Sequence, residues 1–227
     1  MNRYAVATYH AANFQDLADL TVPSKEAYCK LQGYDLHVVV DEEFARWRSL
    51  EIVSGLLSQG YDAVLYIDCD AIITSPHMRI EDLILFGEFL LTSDLYGLNM
   101  GVFCAQRTEG ATKLLYAMMT EGANLTRGHF WCEQEAVMRF ARFAPYDRVV
   151  KILPQRIMNS YSNIEHNRPP WIDSNWQPGD FILHMPALVN EDRFRVIEEA
   201  SERTRTADER LFRVLMDRVE QEEPVRS

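Results

Sequence analysis

The sequence predicts an α/β fold with a mainly parallel central sheet flanked by helices. Two observations carry that expectation. Apolar strand-like runs alternate with helix-periodic segments through roughly the first 70 residues. One such run, Ala63 to Ile67, ends in two aspartates spaced i, i+2, Asp68 and Asp70, before the chain turns apolar again. The composition agrees with a soluble globular chain: 227 residues, 47% hydrophobic and 25% charged, enough to bury the core of one ordinary domain.

The elements follow in order. Tyr4 to Thr8 reads as a short strand. Phe14 to Leu31 carries apolar residues at helical spacing and stops near Gly33. Leu36 to Val40 is a second strand closed by Asp41, Phe44 to Leu57 a second helix ended by Gly60, and Ala63 to Ile67 the third strand. In parallel sheets ligands sit beyond the carboxyl ends of the strands, which places Asp41, Asp68 and the chain around Thr8 on one edge. Further on, Ile80 to Phe86 reads as a short helix and Phe89 to Ser93 as a strand. Gly101 to Ala105 is a strand followed by a helix from Glu109 to Thr120. Glu133 to Phe143 is a helix, and Val149 to Leu153 and Phe181 to His184 are short strands. Asn159 to Gly179, rich in Asn, Pro, Tyr and Trp, reads as a long surface loop. Residues 190–227 read as an amphipathic helical tail, with a stripe at Leu211, Leu215 and Val219, packed on a single domain spanning 1–227.

Charge and cysteines exclude several classes. The net charge is −11, and no basic stripe is visible, so an extended nucleic-acid-binding surface is not expected. Four cysteines, at 29, 69, 104 and 132, form no C-x-x-C pair, which argues against zinc and for free thiols in a reducing, cytoplasmic compartment. The sequence shows no signal peptide and no 18-residue apolar run, so no membrane span is expected.

Asp-x-Asp alone says little: with 15 aspartates in 227 residues about one such pair arises by chance. Its setting is the informative part. In extended backbone the i, i+2 spacing turns both carboxylates to one face. Two like charges at the end of a buried strand are costly unless something positive lies there, and a divalent cation takes carboxylate oxygens readily. Such a cation can hold a diphosphate. The alternative is that both aspartates merely cap the following turn.

Four further segments join this one: Arg46-Trp47-Arg48; Leu98-Asn99-Met100-Gly101; Trp131-Cys132-Glu133-Gln134; and Asn159-Ser160-Tyr161 with Gly179-Asp180-Phe181-Ile182-Leu183-His184. In this order and spacing the set resembles the nucleotide-sugar transferases of the Rossmann-like GT-A fold, and glycosyltransferase family 34 most of all. That family holds galactosyl-, mannosyl- and xylosyltransferases, and the resemblance covers residues 4 to 188.

The resemblance implies a retaining, metal-dependent transferase. Asp68, Asp70 and His184 would hold Mn2+, or Mg2+; two carboxylates and an imidazole suit manganese better than calcium. The rival reading of His184 is a core histidine at a strand end. Donor contacts are expected from Thr8, Arg48, Asp68, Cys69, Asn99 and Gly101. The rival for Arg48 is a surface arginine, and for Gly101 a strand-entry turn. Gln134 and Glu133 are the expected groups on the catalytic face of the sugar, although Glu133 also suits a helix N-terminus. The donor is expected to be a nucleoside-diphosphate sugar, UDP-galactose or UDP-glucose first. The aromatics Tyr161, Trp171 and Trp176 are candidates for stacking on an acceptor. The run His184-Met185-Pro186-Ala187 departs from the small residues and glycine usual after the family's histidine, which puts the diphosphate loop in question. Two other classes stay open: a haloacid-dehalogenase-like phosphatase, and a catalytically inactive nucleotide-sugar-binding module.

Overall fold

The computed structural model describes residues 2–94, 96–127, 131–162, 175–186, 188 and 191–203. Strand β1 (Tyr4–Ala11) is buried along its whole length. It pairs in parallel with β2 (Asp35–Asp41) on one side and β3 (Ala63–Ile67) on the other. Helix α1 (Gln15–Gln32) makes the first crossover and α2 (Arg48–Ser58) the second. Helix α1 ends as the sequence suggests: Gly33 adopts a left-handed φ of 75°, and its N–H reaches the Cys29 carbonyl at 2.8 Å.

After β3 come β4 (Ala71–Ile73), α3 (Ile80–Leu83), β5 (Phe89–Asp94) and β6 (Gly97–Gln106). Helix α4 (Glu109–Ala117) runs through a π-helical turn, Met118–Gly122, into α5 (Ala123–Leu125). Then follow α6 (Cys132–Phe140), β7 (Val150–Leu153), α7 (Gln155–Met158), β8 (Ser160–Tyr161) and β9 (Ile182–His184). Residues 191–203 form a last helix, α8.

The main sheet has the order β2-β1-β3-β6-β5-β7, with β6 antiparallel to both of its neighbours. Helices cover both faces. Along β3, Val64 and Tyr66 point into a core with α2, α4 and α6, while Ala63, Leu65 and Ile67 join a second core that includes Tyr28 and Cys29 of α1. That two-sided burial explains why β3 reads as a continuous apolar run and not as an alternating one.

A second, three-stranded sheet has the order β4-β9-β8. Its register sets Ala71 opposite His184. A small core of Ile72, Trp176, Leu183 and Met185 ties it to Val196 and Ala200 of α8. Of the tail expected over 190–227, residues 191–203 are helical and pack through Val196 and Ala200; the Leu211, Leu215 and Val219 stripe lies outside the described residues.

Several expectations need correction. Strand β1 runs to Ala11, so Thr8 lies inside the sheet with 0% exposure and not on its edge. Helix α2 starts at Arg48, later than Phe44, and β6 starts at Gly97, earlier than Gly101. The Asn159–Gly179 stretch is not a loop throughout: Ser160–Tyr161 is strand and buried. Tyr161 and Trp176 are 4% and 3% exposed, so they anchor the small sheet and offer no stacking face; Trp171 falls outside the described residues.

Candidate active site

The two aspartates do not lie on an extended strand. The chain turns at Cys69-Asp70, with the Ala71 N–H donating to the Asp68 carbonyl at 3.2 Å, and β4 begins at once. The turn, and not a strand period, brings the carboxylates together. Three backbone and side-chain contacts from α1 hold it from below. The Thr21 hydroxyl donates to the Cys69 carbonyl at 2.6 Å, the Lys25 ammonium to the Ala71 carbonyl at 2.6 Å, and the Ile73 N–H to the Ser24 hydroxyl at 3.1 Å. Residues 21, 24 and 25 share one helix face, so a single stripe of α1 grips the whole turn. Lys25 is fully buried, which lowers its pKa to about 8; the nearby Cys69, Asp70 and Asp68 act the other way.

The pairing of β4 with β9 then brings His184 beside Asp70. The Met185 N–H donates to the Asp70 carbonyl at 3.0 Å, and His184 Nε2 lies 3.2 Å from Asp70 Oδ1. One ligand atom from each of Asp68, Asp70 and His184 lies within 4.8 Å of the others. Gly101 closes the fourth side. Its carbonyl accepts from the Asp68 N–H at 2.7 Å, and a Cβ on it would come within 2.7 Å of Asp68 Oδ2 and collide with the His184 ring. Glycine is required here by close approach.

A fully paired amide network assigns the imidazole tautomer. Asn99 Oδ1 accepts from the Gly101 N–H at 2.9 Å and from Asn159 Nδ2 at 3.0 Å. Asn159 Nδ2 also donates to Thr92 Oγ1 at 3.0 Å, which leaves Asn159 Oδ1 as an acceptor facing His184 Nδ1 at 2.8 Å. Nδ1 therefore carries the proton. Nε2 then faces the Asp70 carboxylate lone pair to lone pair unless a proton or a cation lies between them. This is the arrangement of a metal-ligating histidine oriented by its outer partner, and the donor set of two carboxylates and one imidazole fits a divalent cation.

The charges point the same way. Burial, and then Asp70, push the Asp68 carboxyl up to about 7, despite His184 and the Tyr66 hydroxyl at 3.0 Å. Burial also works against ionised Asp70, but in the metal-free protein His184, when it carries a proton on Nε2 as well, and Arg193 outweigh it and hold that carboxyl below its usual range. Arg193 of α8 ion-pairs with Asp70 Oδ2 at 2.9 Å and donates to the Met185 carbonyl at 3.3 Å. It was not singled out in the sequence, because it sits in a charge-dense run that reads as a solvated face.

The remaining expected residues divide. Asn99 lies in the amide network beside the cluster, also donating to Asp94 at 3.1 Å and to the Tyr161 hydroxyl at 2.7 Å. Gln134, in the first turn of α6, accepts from the Met100 N–H through Oε1 at 3.3 Å. Glu133 is pushed up by burial and takes the Cys132 thiol at 3.4 Å. Cys69 packs with Leu17 and Ala18 of α1, and burial raises its thiol to about 11 despite Lys25 and Thr21. Arg48 stands at the start of α2, ion-paired with Asp41 at 3.0 Å and Glu51 at 3.1 Å. Thr8 is enclosed, and its hydroxyl has no hydrogen-bond partner among the described residues.

No protein-family model and no curated protein matches the chain. Solved structures do. A glycosyltransferase involved in glycosylation of the major capsid of PBCV-1 superposes with a TM-score of 0.64 at 15% identity, over 87% of this chain and 99% of that one. The galactosyltransferase LgtC, solved with donor and acceptor sugar analogs, gives 0.54 at 12% identity, over 89% and 95%. The glycosyltransferase GlyE of Streptococcus pneumoniae TIGR4 gives 0.52 at 16% identity, and this chain spans 60% of its length. The shared property is the fold. The chain has the GT-A architecture, a Rossmann-like mixed sheet whose metal-ligating candidates lie at the carboxyl end of β3. Among the described residues no helix is long and apolar enough to cross a membrane, and all four cysteines are buried free thiols.

Proposed function

We propose that this chain is a metal-dependent glycosyltransferase. It would move a hexose from a nucleoside-diphosphate sugar to an acceptor with retention of configuration, UDP-galactose or UDP-glucose being the preferred donor. The observation that carries the reading is the Asp68, Asp70 and His184 cluster at the carboxyl edge of a GT-A sheet. The sugar chemistry of the proteins that share this fold supports it.

Mn2+ is the favoured ion, with Mg2+ second, and when bound it supplies Lewis-acid neutralisation of the leaving diphosphate. The chain's own groups do the rest. Asn159 and Gly101 keep the imidazole and Asp68 in place. Arg193, ion-paired with Asp70, is a positive charge beside the cluster that would help to stabilise the leaving diphosphate. Arg48, ion-paired with Asp41 at the β2 end of the edge, would contact the nucleotide or its phosphates. Gln134 Oε1 keeps a second lone pair for positive charge at the anomeric carbon while Met100 fixes its orientation. Glu133 adds negative charge beside it.

The test is release of UDP from UDP-galactose and UDP-glucose with and without Mn2+, for the wild type and Asp70→Ala. Turnover should depend on the metal and vanish in the variant while its circular dichroism stays native. Full turnover in EDTA would overturn the reading.

A further inference from the structure

We infer that the C-terminal segment 204–227 docks as a helix in an apolar groove away from the metal-ligating cluster, so that it and α8 form one strap across the domain. The groove has a volume of about 770 Å3, with Met78, Leu85, Phe86 and Ile157 along it and Phe181 at its floor. Leu85 is 83% exposed, the most open large apolar side chain among the described residues, and Phe86 beside it is 50% exposed. Both follow directly on α3, whose Ile80 and Leu83 are fully buried. A built cavity walled by apolar side chains this open to water marks a surface that something covers.

The course of α8 leads there. Near its start Arg193 pairs with Asp70, and further on Val196 and Ala200 pack with Ile72 and Leu183. At its end the Arg203 guanidinium stands 5.0 Å from the centre of the Trp176 ring. Trp176 Nε1 donates to Thr74 Oγ1 at 2.8 Å, and Thr74 Oγ1 donates to the Asp180 carbonyl at 2.8 Å. Helix α8 therefore runs alongside β4 in the same sense, away from the cluster. The lengths agree: the helical steps from Arg193 to Arg203 cover about 15 Å, and the strand steps from Asp70 to Thr74 about 13 Å. Ser75, the residue after Thr74, lines the groove together with Asp180 and Phe181. Arg203 thus brings the chain to the mouth of the groove.

The sequence after Arg203 fits the occupant. Residues 204–223 contain no glycine or proline to stop a helix, and Pro224 is the first to follow. A helix continued from α8 would turn Leu211, Val214, Leu215 and Val219 to the side on which Val196 and Ala200 already pack, an arc of about 140°. Glu209, Arg213, Asp217 and Glu220 would fall on the opposite side, toward water. The helical rise would set Leu211 about 12 Å and Val219 about 24 Å beyond Arg203, a reach that spans a groove of this size. A second copy of the chain is the competing occupant. The tail is favoured because it is tethered at the mouth, which gives it a millimolar effective concentration that a free partner lacks.

The experiment is hydrogen exchange read by mass spectrometry, with light scattering, on the full chain. The proteins are the wild type, Leu85→Asp, Leu215→Asp and a control, Tyr116→Asp, whose ring is 67% exposed on α4 against the other face of the sheet. Wild-type amides over 204–219 should exchange about a hundredfold or more slowly than an unstructured chain. Both leucine variants should lose that protection while β1 and β3 keep theirs, and Tyr116→Asp should retain it. Unstructured exchange over 204–219 in the wild type, protection that survives Leu85→Asp, or equal loss in Tyr116→Asp would overturn the docking. A wild-type particle of two chains that Leu85→Asp splits would also overturn it, by assigning the groove to a second copy. None of these readouts depends on turnover, so the docking and the transferase reading fail separately.

Discussion

Asn159 Oδ1 accepts the Nδ1 proton of His184 at 2.8 Å, and that one bond decides which imidazole nitrogen faces the aspartates. Asn159 is itself fully buried and held by Thr92 and Asn99, so its amide has no freedom to turn over.

Replacing Asn159 with Leu should therefore loosen the imidazole without removing any metal ligand. Mn2+ affinity should fall about 10- to 100-fold, the usual effect of losing the outer partner of a ligating histidine. At a pH where the imidazole is neutral, nitrogen-15 shifts of His184 should move from the pure Nδ1–H form to a tautomer mixture. Wild-type shifts in the variant would refute the assignment.

Mn2+ binding should depend on pH through Asp68. In the metal-free protein burial and Asp70 raise its carboxyl to about 7, so below that pH a proton competes with the cation. Affinity should rise as pH climbs to about 7 and level off above it. Calorimetry in buffers of different ionisation enthalpy should find about one proton released per Mn2+ near pH 6 and almost none near pH 8. The same group sets a stability trend. Its folded pKa lies above the unfolded value, so its contribution in EDTA is present at acid pH and lost as pH rises through about 7.

Gly101→Ala should damage the site by shape alone. The new Cβ would fall against Asp68 Oδ2 and the His184 ring, both held by other bonds. A cost of about 1–3 kcal/mol in urea unfolding is expected, together with loss of Mn2+ binding. Native metal affinity in this variant would show that the cluster relaxes more easily than its contacts imply.

Gln134→Ala should lower kcat by about a hundredfold or more while the donor KM moves only a few-fold, the mark of a group used in the transition state. Glu133→Gln should be milder. NMR of the product should show an α-linkage from an α-linked donor. A β-linkage would mean inversion and a general base elsewhere.

Much of the fold was legible because it is written in local periodicity. Ala63–Ile67 was read with the bounds it adopts, and α1 with its glycine stop, since a doubly buried strand and an amphipathic helix leave unmistakable patterns. The short elements β4, β8 and α7 carry no period of their own, whereas β9 and β7, of similar length, show as compact apolar runs. The sequence pattern starts β6 four residues late because Gly97 and Asn99 look like a turn, although pairing with β5 keeps them extended.

The sequence by itself determined the candidate ligands, Asp68, Asp70 and His184, and the sheet edge on which the first two stand. Only the tertiary structure decided that they meet. His184 lies 114 residues from Asp70, and the register of β4 on β9 joins them. The grip of Thr21, Ser24 and Lys25 on the aspartate turn, the Asn159 bond that orients the imidazole, and the Arg193 contact from α8 were equally out of reach. The reason is physical. Periodicity and residue type report which side chains are buried or charged, whereas a hydrogen bond is decided by where distant backbones bring a donor and an acceptor within about 3 Å.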